Sequence, residues 1–336
     1  MVNALLLAAT LRVFGSAGAE SQLTPANTAS PLNPDNIAGV PLQTNSADVS
    51  AFAEAAGERW KMRVKLRADA SDRTSDHVSA GEAFVQVRAT EWLDVTAGRV
   101  IEKWGTGYAW TPTAFIGPAR NPTDPNDRRS AYRGLDMIRA DVFVKETNVS
   151  LYAIEGGHVA GRVYRLVRGT DVSLVFRDRA AGVSLSRVFG DALELHGEVV
   201  RDGGVLRAVA GGQYTFANNV NVVAEVYFGG DGLTASQWDA FRGMATTDLR
   251  AANSAYAPLR MGRAYGFVRV AREDLELIAI ANLRDGSTIV RGTLAHKLHP
   301  NLSLYLIHTE FLGRANSEMA YLQVARVTTA GMRFYF

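Results

Sequence analysis

From Trp60 to Phe336 the chain alternates. In its cleanest stretch Lys61, Arg63, Lys65, Arg67 and Asp69 take every second position, and Met62, Val64, Leu66, Ala68 and Ala70 take the positions between. Successive side chains of a strand point to opposite faces, so this segment has one charged face and one apolar face. The pattern recurs over 60–70, 80–90, 92–101, 135–146, 148–156, 160–168, 170–177, 181–189, 192–201, 205–216, 220–229, 261–272, 274–283, 287–297, 301–311 and 321–336. Almost no helical periodicity intervenes, and the segment lengths sit near the roughly 9–11 residues that a tilted strand needs to cross a bilayer. The pattern predicts an all-β fold, a transmembrane antiparallel up-and-down β-barrel of about sixteen strands, or fourteen if a hairpin is over-split.

The connections support that count. Single-chain bacterial barrels have an even number of strands, with tight turns at one end and longer loops at the other. With sixteen strands the long gaps 102–134 and 230–260 and the medium gap 312–320 share one end. Tight links such as Glu273 and Asn218-Asn219 share the other. The competing architecture is a secreted sandwich or propeller. A propeller needs a blade-length repeat, which is absent here. Aromatics also gather near segment ends, at Trp60, Trp92, Phe176, Phe189, Phe216, Phe228, Phe334 and Phe336, which suggests interfacial girdles.

The first 58 residues read differently. Ala4 to Phe14 is largely apolar and Ala17-Gly18-Ala19 supplies small residues, so residues 1–19 are expected to be a signal peptide. Residues 20–58 are expected to be a flexible periplasmic leader with one short helix near Asp48 to Glu58. The barrel is expected over 59–336.

Composition narrows the function without naming it. The formal net charge is +2 and cysteine is absent, which leaves no basic tract for nucleic acid, no disulfide and no thiolate chemistry. No cofactor motif is present. Asp124, Asn126 and Asp127 offer oxygen ligands, but they lack the glycine and distal glutamate of an EF-hand loop, so no metal is expected.

The last strand ends on alternating Met332, Phe334 and Phe336. A terminal Phe after such a strand resembles the sorting and assembly signal of bacterial outer-membrane β-barrel proteins. The resemblance implies an outer-membrane location, contact with membrane lipid, and recognition of Phe336 by the barrel-assembly machinery. A homo-oligomer is compatible with such a wall.

Alternation places Lys61, Arg63, Lys65, Arg67, Arg88, Arg139, Arg177, Arg207, Arg291 and Arg333 on the lumen face, with Glu194, His196, Glu198 and Glu225. Facing lipid, Arg or Lys near the midplane costs about 2–4 kcal/mol each, so these charges belong inside. The gap after the third segment holds Trp104, Tyr108, Trp110, Arg120, Asp124, Arg128 and Arg129 among prolines 112, 118, 122 and 125. Its restricted backbone suits a loop folded into the barrel mouth, as the constriction loop of porins is, with aromatics for stacking and arginines for anions. His196 between Glu194 and Glu198 is an acid–base cluster or a salt-bridge network. No Ser-His-Asp set is recognisable. The favoured expectation is a porin-like channel for small hydrophilic solutes with a mild anion preference. The alternatives are a non-conducting barrel acting as anchor or receptor and, below that, an outer-membrane hydrolase.

Overall fold

A computed structural model describes residues 10–117, 120–125 and 134–336. All the alternating segments are strands, and two more precede them. The strands are β1 (Thr10–Leu23), β2 (Gln43–Ala56), β3 (Trp60–Ser71), β4 (His77–Thr90), β5 (Leu93–Val100), β6 (Leu135–Val144), β7 (Thr147–Ile154), β8 (His158–Val167) and β9 (Thr170–Arg177). They continue with β10 (Ala180–Phe189), β11 (Leu193–Asp202), β12 (Val205–Thr215), β13 (Asn221–Gly229), β14 (Ala264–Arg272), β15 (Leu275–Asn282), β16 (Thr288–His299), β17 (Leu302–Leu312) and β18 (Arg326–Tyr335). Every neighbour pair is antiparallel, and β1 pairs with both β2 and β18, so the 18-stranded sheet closes on itself. Closure leaves no edge.

The strand number is therefore 18, not about sixteen or fourteen. The difference lies wholly in residues 10–56, where a signal peptide, a leader and a helix were expected. Their outward faces carry Leu11, Val13, Leu23 and Val49, but the positions between are small: Gly15, Ala17 and Ala19 on β1, and Ala47, Ala51, Ala53 and Ala55 on β2. Alanine gives little hydrophobic contrast, so the alternation with Arg12, Ser16, Glu20, Asp48, Ser50 and Glu54 is faint. Two added strands keep the number even.

The outer wall carries the apolar face. Val64, Leu66, Val85, Leu151, Leu174, Leu195, Val226, Leu277 and Leu306 are exposed along it. Trp92, Phe176, Phe189, Phe216, Phe228, Phe334 and Phe336 are also exposed, toward strand ends. Arg187, an outward arginine, lies 4.9 Å over the Phe189 ring at the short-turn end, which suits a cation drawn up to an interface. All the long connections leave one end: 24–42, 101–134, 230–263 and 313–325. The opposite end has tight turns, such as Arg168-Gly169 with both φ positive (51° and 78°), the geometry that two-residue hairpins require.

The long connections pack together. In 230–263 the helix α1 (Ala235–Thr247) begins at a Thr234 capping box and buries Trp238 and Phe241, and α2 (Leu249–Ala255) follows. These side chains join Leu32 from 24–42 and Tyr321 from 313–325 in one apolar cluster. Glu318 fastens the cluster to the wall. It is fully buried and accepts hydrogen bonds from the Leu259 amide (2.7 Å), Tyr265 Oη (2.9 Å) and Asn282 Nδ2 (2.6 Å). Burial raises its carboxyl above the ordinary carboxylate range.

Candidate functional site: a loop pinned inside the barrel

The segment after β5 turns into the lumen and lies against the far wall. Its first residues are extended, so successive side chains diverge. The Ile101 amide reaches Glu82 Oε1 on β4 (3.4 Å). Glu102 pairs with Arg139 on β6, and Trp104 packs edge-on against Tyr152 on β7 with ring centroids 5.2 Å apart. Burial raises the Glu102 carboxyl, and Arg139 opposes that rise.

Two wall carboxylates then capture the loop backbone. Glu198 on β11 accepts from the Thr106 amide (2.6 Å) and the Gly107 amide (2.7 Å) through Oε1. Its Oε2 accepts from the Thr113 amide (2.9 Å) and hydroxyl (2.7 Å). Glu225 on β13 accepts from the Tyr108 amide and, at 2.8 Å, from the Ala109 amide. The His196 ring bridges Glu194 (3.0 Å) and Glu225 (2.8 Å). An extended loop inside a barrel has no ladder partner for its amides. Buried carboxylates supply acceptors in its place, and charge-assisted bonds of this kind are the stronger class.

Wall arginines hold the loop carbonyls. Arg177 donates to Phe115 O (2.5 Å), and Arg291 donates to Thr123 O (2.5 Å) and Asp124 Oδ2 (2.9 Å). Arg120, on the loop itself, donates to Tyr108 O (2.8 Å). Trp110 stacks on Tyr227 (5.0 Å) and sits edge-on to Phe267 (6.1 Å), within a cluster that includes Ile278, Ile280 and Ile289.

The expected site residues therefore divide. Glu198, Glu225 and His196 are buried beneath the loop rather than lining water, because the loop's amides need acceptors. Trp104 and Trp110 face the wall rather than offering stacking surfaces, and Tyr108 is half-buried under Arg269, whose guanidinium lies 5.3 Å from its ring. Arg88 and Arg207 pair with Asp94 and Asp231 toward opposite ends. Arg128 and Arg129 lie outside the described residues. Lys61, Arg63, Lys65 and Arg67 on β3 stand half the circuit from β12, across the lumen from loop residues 106–113, and Lys65 and Arg67 are buried. Glu54 pairs with Lys61 (3.1 Å) and Arg63 (2.6 Å), Arg67 pairs with Asp69, and Arg333 pairs with Asp48 (2.8 Å). The residues that sequence reasoning missed are Thr106, Gly107 and Thr113, together with the apolar lumen patch. That patch had a signal, because β15 reads Leu277-Ile278-Ala279-Ile280-Ala281, apolar on both faces.

The closed antiparallel barrel is similar in fold to solved bacterial porins. A triple mutant of the Rhodopseudomonas blastica porin superposes with a TM-score of 0.52 at 13% identity, covering 97% of this chain and 100% of that one. Acinetobacter baumannii OccAB4 superposes with a TM-score of 0.61 at 7% identity, covering 97% and 98%. The chain has the porin fold. No protein-family model and no curated protein sequence matches it. Within this fold, the described loop residues after β5 are held against the wall by Glu198, Glu225, Arg177 and Arg291.

Proposed function

We propose that the chain is an outer-membrane channel through which small hydrophilic solutes diffuse, with a mild preference for anions. The observation that carries this reading is the loop pinned within the lumen by buried carboxylates. A barrel needs no such device to be stable, but it narrows a bore that an 18-stranded wall makes wide. The exposed Lys103 on the loop supports the anion preference. The His196 ring, only 2% exposed between Glu194 and Glu225, is committed to holding the loop, which supports a channel over a hydrolase. The exposed apolar belt supports contact with outer-membrane lipid, and the aromatic end at Phe336 supports recognition by the assembly machinery.

One observation favours a second reading. The packed cluster of 24–42, 230–263 and 313–325 lies at the long-loop end, as it would in a closed barrel serving as anchor or receptor. Purified protein in a planar bilayer separates the two. Discrete open-channel steps are the expected result, and a silent bilayer in potassium chloride overturns the channel.

A further inference from the structure

The cations of this lumen are mostly compensated. Arg63 lies between Glu54 (2.6 Å) and Glu82 (3.6 Å), Arg139 between Glu102 and Asp141, Arg291 against Asp124, and Arg333 against Asp48. A paired charge projects a dipole, which decays faster than the field of a lone ion. Lys103 differs. It is exposed between the buried anchors Glu102 and Trp104. Extended alternation turns it away from β6 and β7, and it acts electrostatically on Lys65 of β3. Among the described residues no carboxylate pairs with it. Its two neighbours fix its backbone, so the charge has a definite place on the captured loop.

We propose that Lys103 determines ion selectivity in the channel read above, as a fixed cation with no carboxylate partner among the described residues, and that the paired arginines contribute little. The inference rests on that channel reading and can fail separately from it. A permeating anion passing about 10 Å from Lys103 gains about two-fold, and a cation loses about two-fold, so one unit charge in water shifts their ratio about four-fold.

The chain has no cysteine, so Lys103→Cys creates a single thiol on an otherwise unreactive protein. Its charge can then be set on an already folded barrel with a cationic or an anionic methanethiosulfonate reagent. The measurement is the reversal potential in a planar bilayer under a potassium chloride gradient. The anion-to-cation permeability ratio is expected to fall by about four-fold in Lys103→Cys, to recover with the cationic reagent, and to fall further with the anionic one. Removing Arg333 and Asp48 together, as Arg333→Gln with Asp48→Asn, is expected to leave the ratio unchanged. Open channels whose ratio ignores the charge at position 103 overturn the inference and spare the channel. A conducting barrel whose ratio follows the Arg333–Asp48 pair instead overturns it too. Silence of the unmodified protein removes both.

Discussion

The Gly105 backbone passes so close to Glu198 that a β-carbon there would lie 2.7 Å from its Oε1. The residue also has φ +87°, which side chains rarely tolerate. Gly105→Ala is therefore expected to lift the loop from Glu198 at a cost of about 1–3 kcal/mol. Larger and noisier single-channel conductance is the readout. Conductance indistinguishable from that of the parent would show that the loop does not limit the bore.

Glu198→Gln removes the charge that the Thr106, Gly107 and Thr113 donors share and replaces one acceptor oxygen by an amide NH2 donor. Each charge-assisted bond to a buried carboxylate is worth about 1.5–3 kcal/mol. Limited proteolysis within 105–117 is expected to become much faster, while barrel mobility on unheated gels stays unchanged.

Trp110 fills the apolar lumen patch. Trp110→Ala is expected to cost about 3–5 kcal/mol of loop docking, since large aromatics leave cavities that close poorly. Near-ultraviolet dichroism from the stacked Trp110 and Tyr227 rings should be lost without loss of strand content.

Glu318 makes the loop cluster of 24–42, 230–263 and 313–325 sensitive to pH. Burial raises its folded carboxyl above the ordinary value, so the folded state holds the proton more tightly than the unfolded chain does. Its contribution to stability is then greatest below the ordinary carboxylate range and falls as pH rises through the raised value, at no more than about 1.4 kcal/mol per pH unit. Hydrogen-exchange protection of the Leu259 and Glu318 amides should decline with pH in that window. Glu318→Gln, which has no proton to lose, should flatten the trend.

The barrel seam joins β1 to the last residue. Gly15 and Phe336 exchange backbone hydrogen bonds of 2.8 and 3.1 Å, and a β-carbon on Gly15 would lie 2.5 Å from the Phe336 ring and from Ser50 O. Gly15→Val is expected to destabilise the seam by about 1–3 kcal/mol. The temperature at which the folded band disappears on gels should drop accordingly.

Most of the wall was legible because leucine and valine outside contrast with arginine and glutamate inside. β1 and β2 were not, because Ala17, Ala19, Ala51 and Ala53 imitate a peptidase site and a leader while serving as an outer face. The shared face of Glu194, His196 and Glu198 was also visible. What those groups bind was not, since their partners are backbone amides from a distant loop and backbone amides leave no mark in a sequence.

The separation of those partners has a consequence for assembly. Thr106 and Glu198 are 92 residues apart, and Tyr108 and Glu225 are 117 apart. The acceptors come into place only when strands from β5 through β13 stand side by side, so closing so long a span cannot precede the wall. The throat is thus made last: a nascent cylinder passes through a wide-bore stage, and Thr106 should gain exchange protection after the strands around it.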